Sequence, residues 1–197
     1  MKYLIFLAVL FCLCVNNICG QTPVSVAYKI IGDESSQLAG TNDFIITISG
    51  DLTGKKIILR EHIVSDGTIR TQEVPTSFDT MNSDSLTISV TTQKEARDSI
   101  KIDIQNNDMP YYQAVHFLPT TKYQHPILME TILDNTLDQE NTPIFAYTPG
   151  IPKDFNINGK IMKGEHYCDL RDSNTHPALW YEKFEIKNYI YYSIEFR

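Results

Sequence analysis

The chain has 197 residues, 42% of them hydrophobic, and its 17 basic side chains are outnumbered by 24 acidic ones, for a formal charge of −7. Its lysines and arginines form no stripe in the sequence. Composition therefore argues against a nucleic-acid or anionic-membrane partner, because phosphate binding relies on clustered cations.

The first twenty residues, MKYLIFLAVLFCLCVNNICG, carry Lys2, an apolar run from Ile5 to Val15, polar Asn16 and Asn17, and then small Gly20. This is the layout of a secretory signal peptide, with cleavage expected near Gly20; the run is too short to span a bilayer. A lipid anchor on Cys19 is the alternative, but Asn16, Asn17 and Ile18 fit that signal poorly. The expected destination is extracellular, or a bacterial periplasm or cell surface. Elsewhere no run approaches ~18 apolar residues, so no membrane span is expected. Removing the leader takes away Lys2, Cys12, Cys14 and Cys19, which lowers the charge to −8 and leaves Cys168 as the sole thiol. A disulfide scaffold is then excluded, and the fold must be held by burial. There is no Asn-x-Ser/Thr site for N-glycosylation.

From residue 21 to 119 the pattern is β. Apolar residues alternate through Val24, Val26, Tyr28 and Ile30, then Phe44, Ile46 and Ile48, then Leu86, Ile88 and Val90, then Ile100, Ile102 and Ile104. Period-two alternation buries one face of a strand and wets the other. Seven strands are expected, at about 24–31, 43–49, 56–64, 69–74, 86–92, 99–105 and 111–118, with a hairpin turn at Asp66-Gly67. That density of short strands suggests an antiparallel β-sandwich of immunoglobulin or fibronectin architecture, without the Cys…Trp…Cys core of antibody domains. The "GKK" at 54–56 resembles a processing signal, but cutting there would break a strand.

Residues 120–197 differ in composition. Fifteen of the 18 aromatic residues beyond the leader lie between Tyr111 and Arg197. The stretch "PILMETILDNTLDQ" has helical spacing: Leu128, Met129, Ile132, Leu133 and Leu137 share one side, and Glu130, Asp134 and Asp138 recur every four residues on another. That acidic ladder, with Glu140 beyond it, lacks the alternating spacing and glycine of a calcium loop, so a solvated helix face is expected. "FNINGKIM" is a second hairpin, turning at Asn158-Gly159. A final strand is expected with Phe184, Ile186, Ile190, Tyr192, Ile194 and Phe196 on one face. The expected organisation is a leader (1–20), a sandwich (21–119) and a smaller aromatic-rich α+β or β region (120–197) packed on it; completion of one extended sandwich is the alternative.

The stretch "GEHYCDLRDSNTHPALW", 164–180, concentrates reactive side chains. In an extended segment, His166 and Cys168 would project to one face, and Asp172 or His176 could return to complete a metal site. The spacing matches no paired Cys or His element, so neither metal nor other cofactor is expected. A nucleophilic Cys168 would need cations around it, and its neighbours are mostly acidic. A buried thiol or an intermolecular disulfide through Cys168, giving a homodimer, are the other readings. No catalytic motif of another kind is present, so no catalytic residue is assigned. Tyr111, Trp180, Tyr181, Tyr189 and Tyr191 are the ligand-contact candidates, with Tyr189 and Tyr191 expected on the solvent face of the last strand; a covering helix is the competing explanation for them.

The functional expectation is an exported, acidic, non-enzymatic binding protein with a protein or carbohydrate ligand. The rivals are a metal-dependent or thiol enzyme centred on His166, Cys168 and His176, perhaps with distant His116 or His125, and a structural surface protein or Cys168-linked dimer.

Overall fold

In the computed structural model, residues 24–31, 41–75, 81–96, 98–106, 109–121, 123–131 and 141–197 are described. The expected leader lies outside them. The chain is mainly β. One sheet contains β1 (Ser25–Ile31), β2 (Thr41–Ser49), β5 (Ser85–Ala96), β6 (Ser99–Asn106) and β7 (Met109–Phe117), in the order β1-β2-β5-β6-β7. The second contains β3 (Ile57–Ser65), β4 (Thr68–Glu73), β8 (Ile127–Glu130), β9 (Thr142–Thr148) and β12 (Asn188–Phe196), in the order β4-β3-β12-β9-β8. All neighbours pair antiparallel. A separate hairpin joins β10 (Ile151–Ile157) to β11 (Lys160–His166).

The alternation in the sequence becomes the core. Phe44, Ile46 and Ile48 of β2, Leu86, Ile88 and Val90 of β5, and Ile100, Ile102 and Ile104 of β6 are buried against Ile57, Leu59, Ile190, Tyr192 and Ile194 of the second sheet. Each such side chain contributes about 1.5–3 kcal/mol when fully buried. The seven expected strands fall within a few residues of β1 to β7. Both expected turns form, with Asp66 and Gly67 at φ 45° and 81°, and Asn158 and Gly159 at 52° and 81°. Strands from either side of residue 119 share the second sheet and its core.

Two expected elements are corrected. The helix proposed to open at Pro126 is a strand over Ile127–Glu130; the remainder of that stretch, with Asp134, Asp138 and Glu140, lies outside the described residues. The physical reason is that the second sheet is covered on both faces here. Leu128 joins the core between the sheets, while its neighbour Met129 joins a second apolar cluster behind them. Adjacent apolar residues therefore imitate one side of a helix. The last strand starts at Asn188 rather than near Phe184, because Trp180–Phe184 form a short helix, α2, ended by Glu185 in the left-handed region at φ 59°.

A bulge shifts the β12–β9 register between Tyr192 and Ser193, whose partners are Phe145 and Pro143. Pro143 has no N–H to donate, so the bulge is where the ladder tolerates it. The carbonyl of the skipped residue, Ile144, accepts the Tyr28 hydroxyl from the opposite sheet.

Candidate functional site

The 164–180 stretch is a cover for the back of the second sheet. His166 ends β11, Tyr167–Asp172 form helix α1, and Pro177–Leu179 make a 3-10 turn leading into α2. Leu170, Trp180 and Ile186 lie buried against Val64, Met129, Ala146, Tyr189 and Tyr191. The Tyr189 hydroxyl donates to the Pro177 carbonyl at 2.6 Å, and the Trp180 indole N–H donates to the Thr175 carbonyl at 2.8 Å. Tyr189 is 0% exposed and Tyr191 3%, which corrects their assignment to solvent. Trp180, at 2%, is likewise core rather than contact surface. Tyr181 is half-buried, its ring against the β3–β4 turn, where a Cβ on Gly67 would meet ring carbons at 2.7 Å. Tyr111 has its backbone in β7, and its side chain lies outside the described residues.

The reactive side chains of this stretch do separate work. Cys168 sits on α1, not on a strand shared with His166, and its thiol is free and exposed. His166 Nδ1 is 2.8 Å from Asp169 Oδ2. His176 Nδ1 accepts the Ala178 N–H at the start of the 3-10 turn, and its ring meets Tyr191 edge-on with centroids 6.1 Å apart. Asp172 lies 3.7 Å from Arg171. Among the described residues no group of three or more His, Cys, Asp or Glu converges as a metal cup.

Two polar constellations escaped the sequence reading because their members are far apart in the chain. Behind the second sheet, His62 Nε2 lies 2.7 Å from Ser193 Oγ, and its Nδ1 lies 2.9 Å from Thr71 Oγ1. The arrangement imitates a nucleophile, base and orienter. Ser193, however, donates its one hydroxyl proton to Asn141 Oδ1 at 2.7 Å, so Nε2 must be the donor and cannot serve as base. Ser193 is also 0% exposed. His62 stacks on Tyr191 at 4.2 Å and 5°, and burial, then the charges of His176 and Arg60, push its pKa down to about 4. It is a neutral link in a satisfied chain.

Between the sheets, Glu61 is 0% exposed. Its Oε1 accepts hydroxyl protons from Tyr192 and Tyr112, at 2.5 and 3.0 Å, with His116 Nε2 at 3.0 Å, and its Oε2 accepts from Gln72 Nε2. Burial alone would raise this carboxyl. The hydrogen bonds from His116, Tyr192 and Tyr112, with the charge of His116, outweigh that and hold it below its ordinary value. This cluster ties β7 to β3 and β12 across the core.

An open feature is a cleft of about 860 Å³ between the loop residues 119–121 and 123–124, the stem of the β10–β11 hairpin and residues 185–188. Its loop wall is fixed by Asp98 Oδ1, which accepts from both the backbone N–H and the hydroxyl of Thr120 at 3.0 Å, and by Asn188 Nδ2, which donates to the Pro119 carbonyl at 3.1 Å. Glu165 joins loop to stem: its Oε2 accepts from the Tyr167 hydroxyl at 2.7 Å and the His125 N–H at 2.8 Å, while Oε1 is buried without a hydrogen-bond partner among the described residues. Lys163, Lys187, Asp154 and Glu185 line the same space in near balance of charge, and Tyr123 is 43% exposed on its wall. None of these lining residues was a candidate from sequence, since the cleft is made by three segments with no common motif. No helix among the described residues is long and apolar enough to cross a membrane. Comparison with protein-family models, with curated proteins and with solved structures found no match.

Proposed function

We propose that the protein is an exported, non-enzymatic binding module built on an immunoglobulin- or fibronectin-like sandwich, and that it takes a protein or glycan ligand in the cleft beside the β10–β11 stem. The observation that carries this reading is the cleft itself. Its volume of about 860 Å³ lies within the range of ~300–1,000 Å³ usual for ligand sites. It offers cations, carboxylates, amide side chains and an aromatic wall, which suits a polyhydroxylated or mixed-charge ligand better than an anion or a bare cation. The unpartnered Glu165 oxygen supports it, because buried acceptors are nearly always paired. Trp180, Tyr189 and Tyr191, first assigned to contact, belong instead to the packing behind the second sheet.

The test is a screen of the mature chain against glycans and secreted proteins, repeated with Tyr123→Ala and with Lys187→Glu. Loss of the captured ligand in both variants, with folding intact, is the expected result. A ligand held equally by all three chains removes the cleft from the account. The exposed Cys168 thiol favours a second reading, a disulfide-linked dimer, in which the same module is presented twice.

A further inference from the structure

The outer strands of the two sheets are β1 and β7 in one, β4 and β8 in the other. Sheets commonly blunt such edges with charge, shortness, bulges or proline, because unpaired N–H and C=O groups are templates for another strand. β4 carries Arg70 and Glu73, β1 carries exposed Lys29, and β8 has only four residues. β7 is nine residues long and contains no Asp, Glu, Lys or Arg. Its His116 is buried and turned inward to Glu61. Its outward face presents Gln113, Val115 and Phe117, opposite Asp103, Lys101 and Ser99 of β6, and Val115 and Phe117 are 62% and 73% exposed.

The ladder fixes which backbone groups of this edge are open. Leu118, just past β7, donates its N–H to the Asp98 carbonyl, on the β6 side. Direction alternates along a strand, so Tyr112, Ala114 and His116 address β6, while Gln113, Val115 and Phe117 point N–H and C=O away from it. No described strand pairs with that side. The open run is closed at both ends. Pro119 has no N–H for the next rung, and the register shift at Ile104/Gln105 skips Tyr111 and brings in Pro110. The open rungs are therefore Gln113, Val115 and Phe117, centred on Val115. We propose that two copies of the chain pair through β7, antiparallel about a two-fold axis at Val115. In that register Val115 faces its own counterpart and Gln113 faces Phe117 of the second copy, and each pair exchanges two N–H···O=C bonds. Two observations select a second copy as the occupant. A strand that saturates this edge must itself offer an uncharged run of open rungs of the same length, which this chain does. A chain of formal charge −7 also resists its own approach elsewhere, whereas here no ionised side chain of one strand opposes another. Lys101, beside Val115, is paired with Asp103 at 3.1 Å. Val115 and Phe117 of both copies then form one apolar strip across the axis, the self-complementary contact that a two-fold requires.

The test is sedimentation equilibrium of the mature chain in reducing buffer, so that no disulfide through Cys168 joins two copies. From micromolar to near-millimolar concentration the mass should pass from one chain to two. Val115→Lys sets like charges at the axis, and it and Phe117→Lys should each weaken the dimer roughly tenfold or more. Ile161→Lys, which alters an exposed apolar residue (72%) on β11, should dimerise like the parent. Hydrogen exchange reads the register. The amides of Gln113, Val115 and Phe117 should gain protection as concentration rises, and that of Ala114, already directed at β6, should not. The near-UV signal of buried Trp180 reports that each variant is folded. A chain that stays monomeric throughout the range overturns the proposal, as does a dimer that Val115→Lys leaves intact. Protection gained on another strand in place of β7 overturns it too. A dimer seen only without reductant refutes the β7 contact and leaves the disulfide reading standing.

Discussion

Lowering the pH from neutral should destabilise the protein through His62. Its folded-state pKa of about 4 lies below the ordinary value of 6.5, so between these limits the unfolded chain binds a proton that the folded chain refuses. Its contribution is fully present above pH 6.5 and is lost as pH falls from 6.5 towards 4. A displacement of ~2.5 pKa units at ~1.36 kcal/mol each gives a loss on the order of 3 kcal/mol. Discounting is small because His62 is 3% exposed, and both ring nitrogens already have partners in Ser193 and Thr71. The charges facing the imidazole oppose one another: His176 and Arg60 resist its protonation, and Glu61 favours it. Urea unfolding at pH 7 and pH 4.5 measures the drop. Burial lowers the pKa of His176 too and adds to the drop, so the decisive comparison is His62→Gln, which should be less stable at neutral pH but should lose much of the slope. An identical pH slope in parent and variant would refute the reasoning, as would an imidazole titrating near 6.5 by NMR.

Glu61→Ala should cost about 3–5 kcal/mol, because it strands the buried Tyr192 hydroxyl and His116. A melting temperature lowered by less than ~3 °C would mean that the cluster carries little of the contact between the sheets. Gly67→Ala should destabilise by about 1–3 kcal/mol in thermal unfolding, since it places a Cβ at φ 81° and 2.7 Å from the Tyr181 ring; Tyr181→Ala should relieve the steric part alone. Cys168 should react with a thiol reagent without denaturant, and a non-reducing gel should show a band at twice the monomer mass that Cys168→Ser abolishes.

What the sequence determined by itself is local. Alternation placed β1 to β7 within a few residues, since burying one face of a strand requires a period of two. Asp66-Gly67 and Asn158-Gly159 marked both hairpin turns, since positive φ is cheap at those residues. What covers a face is not local, and the tertiary structure decided it. Tyr189 and Tyr191 alternate correctly out of the main core, yet the 167–186 segment buries them, because a strand pattern states that two faces differ and not that one of them is wet. Leu128 and Met129 imitated a helix because each enters a different apolar cluster. Glu61 and Tyr192 are separated by 131 residues, and the cleft joins three segments from across the last eighty, so no short window contains either. The cluster at His166, Cys168 and His176 was legible as residue types, but a helix and a 3-10 turn separate them, and their chemistry went into covering a sheet.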